Sequence, residues 1–363
     1  MNRRKVLLGG LAAVAAGGAA AWASSRQMGS MAGYEQAVAT LRAPMAGADV
    51  AELIRYATLA ANSHNTQAWS FHATADAITL SPDLSRRTPV VDPDNHHLFV
   101  SLGCAAENLS LAAAAAGRAG EVTFNPAGGG AVDFTMGRGQ GSDQGLFEAI
   151  PLRQSTRTLY DASPVTAQEL ADLAAAARIP GVDVVLLTER AQINAVRDLV
   201  VAGATAQMQD PAFVAEVKHW LRFSPRRALA TADGLFSACN GAPALPEWLG
   251  PLVLNMVFTA KAEAAKYASQ IDSSSGIAVF VAEKDDAAHW VLAGRACQRF
   301  ALRATALGMK HAFVNQPAEV AGLRGDLAAL VGLAGRRPDI VMRFGRGPAA
   351  AFSARRPVSD VMI

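Results

Sequence analysis

The chain has 363 residues, 51% of them hydrophobic and 18% charged, with a formal net charge of +2. This suits one large globular domain or two ordinary ones, and no segment is polar enough over enough length to read as disordered. The near-neutral charge argues against a general nucleic-acid or anionic-membrane surface, and the scattered Cys104, Cys239 and Cys297, with no CxxC spacing, argue against a cysteine metal site.

In chain order, Arg3, Arg4 and Lys5 precede a weakly apolar Gly/Ala run from Val6, and Ala21-Trp22-Ala23 offers a small-x-small cleavage point. The adjacent arginines followed by Lys5-Val6-Leu7-Leu8 resemble a twin-arginine signal. An uncleaved membrane anchor is the alternative, although Gly9, Gly10, Gly17 and Gly18 weaken a spanning helix. Residues 1–30 therefore read as signal and linker, with the twin-arginine export machinery as partner and an exported, periplasmic or extracytoplasmic location. Loss of the three positive charges takes the mature chain from +2 to about −1. Proteins on that route fold before export, commonly around a cofactor.

Residues 31–145 form a first half. The pattern predicts helices over Tyr34–Leu41 and Asp49–Ala61, strands over Trp69–Thr74 and Ala77–Ser81, and a long helix containing 103–117. A strand over Glu121–Phe124 follows, and the Gly-rich 127–145 reads as a connector. The second half, 146–363, opens with a helix from Thr166 to Ala177, with Thr166 and Glu169 in capping-box spacing. It continues with a strand over Val182–Thr188, a helix from about Ala191, a loop-rich insertion over about 207–275, a helix containing 294–308, and strands His311–Val314 and Ile340–Phe344. Residues 103–117 and 294–308 match at an offset of 191, with Gly103/Gly294, Ala105/Ala296, Leu111/Leu302, Ala113/Ala304, Ala115/Ala306 and Gly117/Gly308 identical. The expected class is α+β: a sheet covered by helices, in two degenerate related halves. Cys104 and Cys297 fall in the repeated helices as small buried hydrophobes.

Three stretches carry candidate chemistry. Asn62, Ser63, His64, Asn65 and Gln67 crowd between an apolar run and Trp69, and so many hydrogen-bonding groups are costly to bury unpaired. In IPLRQSTRTLY, residues 150–160, Arg153, Ser155 and Arg157 alternate; on an extended backbone they share a side and form either a phosphate cradle or a solvated basic loop. Arg355, Arg356 and Pro357 lie near the C-terminus, where a basic tail either folds back on a phosphate or stays at the surface. Asp92, Asp94, His96 and His97 invite a metal, but without a supporting framework the stretch reads as a turn with Asn95 as N-cap. Ser63 and His64 are adjacent and no GxSxG or GxGxxG exists, so neither a serine hydrolase nor a dinucleotide-binding unit is expected.

Together the three stretches resemble the FMN-dependent nitroreductase superfamily. Arg153-Gln154-Ser155-Thr156-Arg157 is similar to its R-x-S-x-R phosphate segment, and Arg355 with Pro357 to its C-terminal basic residue. Asn62–Trp69 is similar to its S-x-x-N-x-Q-P-W segment, with Ala68 in place of proline. Asn315 and Gln316 fall where the family contacts the reactive edge of the flavin. The resemblance implies FMN as cofactor, with Asn62, Ser63, His64, Asn65, Gln67, Arg153, Gln154, Ser155, Arg157, Asn315, Gln316 and Arg355 around it, and no metal or nucleic acid. The first half keeps the Asn/Ser/Gln segment and the second the R-x-S-x-R, so one chain resembles a fused, Acg-type pseudo-dimer with one composite flavin site, expected to be monomeric. The implied activity is flavin-mediated redox of an unidentified substrate. The alternative is a protein that stores FMN beneath a lid formed by the insertion.

Overall fold

The computed structural model describes residues 28–139, 141 and 143–363. The expected export signal lies outside these residues, apart from its linker. Residues 31–136 contribute helices α1 (Met31–Leu41), α2 (Val50–Thr58) and α3 (His96–Ala115) and strands β1 (Trp69–Ala73), β2 (Ala77–Pro82), β3 (Gly120–Asn125) and β4 (Ala131–Met136). The four strands form one antiparallel sheet in the order β1-β2-β4-β3. The Gly-rich stretch expected to be a connector thus contains an inner strand. Its glycines at 128–130 make the β3–β4 turn with positive φ, while Ala131, Val132 and Phe134 bury.

After α4 (Gln144–Ala149), the second part holds α5 (Ala167–Ala176), β5 (Val182–Leu187) and α6 (Arg190–Gln209). Thr166 and Glu169 form the reciprocal capping box on α5. The insertion is mostly helical: α7 (Pro211–Trp220), α8 (Pro225–Thr231), α9 (Gly250–Val257) and α10 (Ala260–Asp272), with β6 (Leu221–Arg222) and β7 (Leu235–Phe236) pairing in parallel. Then come β8 (Gly276–Ala282), α11 (Ala287–Ala306), β9 (Lys310–Phe313), α12 (Gln316–Glu319), α13 (Arg324–Leu330) and β10 (Ile340–Gly345). A second antiparallel sheet runs β5-β8-β10-β9. Strand β8 was not anticipated. All seven of its residues are buried, so it shows a continuous apolar run and no alternation.

Both sheets therefore have the order first-second-fourth-third, with the long helix between the second and third strands. Those helices, α3 and α11, pack face to face. A Cβ on Gly103 would lie 2.1 Å from the Val291 carbonyl oxygen, and one on Gly294 would lie 2.0 Å from that of Val100. Subtracting 191 turns Val291 into Val100 and Gly294 into Gly103, so each contact is the counterpart of the other. One turn further on, Arg299 Nη1 donates to Glu107 Oε1 at 2.7 Å and Gln298 Nε2 to Asn108 Oδ1 at 2.7 Å. The same offset relates these positions. Paired reciprocal contacts are the signature of a two-fold interface.

The C-terminal segment crosses back to the first sheet. Phe71 N donates to Val361 O at 2.7 Å and Ile363 N to Phe71 O at 3.0 Å, extending the β1 edge. The Tyr34 hydroxyl on α1 donates to Phe352 O at 2.8 Å. A buried cluster of Tyr34, Val38, Ala228, Phe236, Cys239 and Ala354 ties α1, the insertion and this segment together.

Candidate functional site

A cavity of about 600 Å³ opens between the two halves, within the roughly 300–1,000 Å³ usual for small-molecule sites. Asn62, Ser63 and His64, just beyond α2, line one side with His97, Ser101 and Cys104 of α3. Asn315 and Gln316, beyond β9, line the opposite side with Gln207 of α6 and Glu319 of α12. The insertion supplies the roof through Phe213, Phe223, Leu245, Val253, Leu254 and Phe258, while Arg157 and Asn240 add a polar patch.

The segment after α2 is bent hard. His64, Asn65 and Gln67 have φ of 46°, 54° and 53°, each a left-handed conformation that costs a non-glycine residue about 1–2 kcal/mol. Hydrogen bonds hold it. Asn62 Oδ1 accepts from Gln67 N at 3.0 Å, and Ser63 N donates to Ser101 Oγ at 3.3 Å. The bend sends the polar cluster in two directions. Asn62, Ser63 and His64 face the cavity, whereas Asn65 and Gln67 turn away to the insertion and the C-terminal segment. Asn65 Nδ2 donates to Gly234 O (3.1 Å) and Ala354 O (3.2 Å), and its Oδ1 accepts from Arg355 Nη1 (2.7 Å). Gln67 Nε2 donates to Ala232 O at 2.8 Å, and its Oε1 accepts from Arg356 N at 2.8 Å. Protein groups thus satisfy the second set.

In the first set His64 is left with a buried Nδ1 that has no partner, and elsewhere on the cavity Gln316 has a buried Oε1 in the same condition. Burial, with smaller effects from Arg157 and His97, lowers the His64 pKa to about 4, so the ring is neutral at physiological pH. Asn315 Oδ1 accepts from Val341 N at 2.9 Å and thereby anchors the start of α12 beside β10.

The alternating arginines do not share a face. Arg157 lines the cavity, its Nη1 donating to Asn240 Oδ1 at 2.9 Å. Arg153 points into the protein, where Nη2 donates to Leu59 O at 3.0 Å while Nε and Nη1 have no partner. Ser155 bridges to His311 at the edge of β9, and Gln154 Nε2 donates to Ala350 O at 2.9 Å, so neither lines the cavity. Arg355 also lies off the cavity. Its Nε and Nη2 donate to Thr58 O (2.7 Å) and Ala60 O (3.1 Å), which satisfies buried carbonyls left without helix partners at the end of α2. Arg42 joins them, donating to Pro151 O at 2.8 Å. Burial lowers all three pKa values, Arg153 to about 10 and Arg355 to about 9, and for Arg42 and Arg355 the mutual charges of the cluster add to the effect. Among the described residues none of the three has a carboxylate partner, and buried unpaired guanidiniums are costly.

Asn95 stands at the N-cap position of α3, as expected, but the side chain that caps the helix is that of Asp92. Its carboxylate accepts from His97 N (3.0 Å) and Leu98 N (2.9 Å), whereas Asn95 takes a left-handed turn with φ 62° and makes no side-chain cap. Asp92, His96 and His97 bring potential ligand atoms within 4.8 Å of one another. Those of Asp92 are engaged by amides, and His96 Nε2 by Asp339 Oδ1 at 2.7 Å. Sequence reasoning missed His97, Gln207 and Glu319 as cavity residues. They come from three helices far apart in sequence, and the only local clue was the double histidine.

No family model matches the chain. Two Mycobacterium tuberculosis proteins, from strains H37Rv and CDC 1551, are each 26% identical over 333 residues, covering 86% of this chain and 90% of theirs. Each bears the name "Putative NAD(P)H nitroreductase". The similarity is to nitroreductases. It spans most of the chain. Among solved structures, the FMN-dependent nitroreductase NfnB of Mycobacterium smegmatis in complex with NADPH is 15% identical with a TM-score of 0.38, covering 60% of this chain and 92% of that one. A nitroreductase with bound FMN from Desulfitobacterium hafniense is 14% identical with a TM-score of 0.37, covering 60% and 96%.

Proposed function

We propose that the protein is an FMN-binding, nitroreductase-like oxidoreductase with one composite flavin site per chain. The observation that carries the proposal is the cavity. The Asn62–His64 segment of one half and Asn315–Gln316 of the other face a single space, and each side brings a buried polar atom without a partner, His64 Nδ1 and Gln316 Oε1. These atoms and Arg157 fit the polar edge and phosphate of FMN, and the apolar roof fits an aromatic ring.

FMN, when bound, relays an electron pair between a donor and an acceptor. The chain's own residues do the rest. Neutral His64 and Gln316 orient the group by hydrogen bonds, Arg157 contributes positive charge, and the roof excludes water, which strengthens each of these interactions. The reciprocal α3–α11 contacts and the common strand order support an internal duplication, an Acg-type pseudo-dimer that works as a monomer. The twin-arginine-like leader supports an exported location. The visible spectrum of the purified full chain, with FMN quantified after denaturation, tests the reading: one FMN per monomer is expected. A colourless protein that does not take up added FMN would refute it.

The roof favours a second reading, FMN storage with little turnover. Asp233, beside Gly234 whose carbonyl latches onto Asn65 Nδ2, pairs with Arg86 and with Arg222 Nη2. Asp233→Ala should loosen the roof. Under the storage reading, flavin reduction by NADPH is slow in the native protein and accelerates in this variant. Equal rates in both would exclude the roof as the barrier.

A further inference from the structure

The roof of the cavity is apolar on both of its faces. Helix α9 and the turn before it read PEWLGPLVLNMVF, residues 246–258. Val253, Leu254 and Phe258 line the cavity. Trp248, Leu252 and Met256 recur at intervals of four and, with Val257, are each more than half exposed on the outside. Ten large hydrophobic side chains are exposed among the described residues, and four of them fall within these ten positions. Scattered exposed hydrophobes are ordinary, but a contiguous group marks a contact surface.

The charges around this ridge are arranged with it. A helix on a water-facing surface turns polar side chains outwards, yet α9 has no charged residue and Asn255 is its one polar side chain. Asn255 Oδ1 accepts from Nζ of the exposed Lys218 at 2.8 Å, which holds that ammonium beside the ridge. Exposed Lys261 opens α10 on the other side. Among the described residues neither lysine has a carboxylate partner. The neighbouring acid, Glu247, spends Oε1 on the backbone amides of Phe223 (3.1 Å) and Ser224 (2.8 Å). The cavity also opens here: Ala242, Pro243 and Val257 line it and are exposed at the surface. The ridge therefore borders the cavity mouth.

We propose that this face docks on an anionic phospholipid surface. An uncharged apolar helix face with tryptophan at its edge and lysines at its sides has the chemistry of a bilayer interface, and a protein partner would not call for that combination. Leu252 and Met256 enter the acyl region, Trp248 sits at headgroup level, and Lys218 and Lys261 meet the phosphates. Four side chains give a reversible attachment, and the charge that assists it is local, in keeping with the near-neutral chain as a whole. Docking places the cavity entrance at the lipid. It does not depend on what fills the cavity.

The test uses the full chain with vesicles of phosphatidylcholine mixed with phosphatidylglycerol, and with vesicles of phosphatidylcholine alone. The emission of Trp248, taken as the difference between the native chain and Trp248→Phe, should shift to the blue and be quenched by lipid brominated in its acyl chains. Because the signal belongs to Trp248, attachment through another part of the chain does not produce it. Phosphatidylglycerol should strengthen the response, and high salt or Lys218→Glu with Lys261→Glu should remove that gain. Leu252→Gln with Met256→Gln should lower the lipid affinity of the signal by about 10-fold or more. Neither residue lines the cavity, so the urea midpoint and the occupancy of the cavity should stay as they are. Trp248 emission that ignores both vesicles, responds equally to both, or responds unchanged in the Leu252/Met256 variant would overturn the proposal. So would a native chain that sediments as a dimer without lipid while that variant sediments as a monomer, since the face would then belong to a second copy.

Discussion

Replacing Asn65 by Ala should destabilise the whole molecule while leaving the cavity wall chemically intact. Asn65 joins three parts of the chain that are distant in sequence: Gly234 of the insertion, Ala354 of the C-terminal segment and the guanidinium of Arg355. A charge-assisted bond contributes about 1.5–3 kcal/mol and a neutral one about 0.5–1.5 kcal/mol, so the three together give about 2.5–6 kcal/mol. The backbone adds to this, because Asn tolerates the left-handed φ of 54° better than Ala does. A loss of at least about 3 kcal/mol is the expected outcome, read from urea unfolding at pH 7. Limited proteolysis should at the same time find new cuts around residues 232–236, where the latch is released. His64→Ala is the control, since its ring makes no bond to the insertion; it should weaken flavin binding with little loss of stability. An Asn65→Ala loss below about 1 kcal/mol, or one no larger than that of His64→Ala, would show that the bend is not the knot the hydrogen bonds suggest.

Three further outcomes follow from the same geometry. Arg157→Ala should lower FMN affinity by about 10- to 150-fold, the equivalent of one charge-assisted contact, and should affect riboflavin much less; equal losses for both ligands would remove Arg157 from phosphate recognition. Gly103→Ala and Gly294→Ala should each cost about 3 kcal/mol or more, because each new methyl meets a backbone carbonyl near 2 Å, and similar denaturation losses for the two would match their reciprocal positions. Burial pushes the Asp339 pKa up from 3.8 to about 7, so its contribution is full below pH 4 and is lost as pH rises through 7. Asp339→Asn, which stays uncharged, should therefore gain stability relative to the native protein between pH 4 and 7, as measured by urea midpoints; a constant difference across that window would refute the assignment.

Local signals in this chain were strong wherever one element could speak for itself. The capping box of Thr166 and Glu169, the hairpin of β1 and β2 and the glycine-ended helices all formed, because the forces that set them act within a few residues. The 191-residue offset was also legible, and the helix crossing shows its physical reason: small residues at Gly103 and Gly294 let two backbones touch. The reading weakened where burial erased periodicity. Strand β8 showed no alternation because both of its faces are covered, and β4 was hidden by the glycines of its own turn.

The candidate site divided along the same line. Sequence alone determined that residues 62–67 needed partners, because six hydrogen-bonding side chains in a row cannot be buried unpaired at low cost. Which partners they found was a tertiary matter. Three left-handed residues turned Asn62, Ser63 and His64 towards the cavity, and Asn65 and Gln67 towards the insertion and the C-terminal segment. The alternation of Arg153 and Arg157 predicted a shared side for an extended strand. The tertiary structure separated them: the buried carbonyls ending α2, which lack helix partners, take Arg153 inwards while Arg157 remains at the cavity. Glu319 carried no sequence signal, and His97 only that of the double histidine, which pointed to a turn or a metal and not to the cavity. A carboxyl and an imidazole 222 positions apart become a pair only when α3 and α12 close on the same space, and the covering of that space, more than the identity of either residue, sets their chemistry.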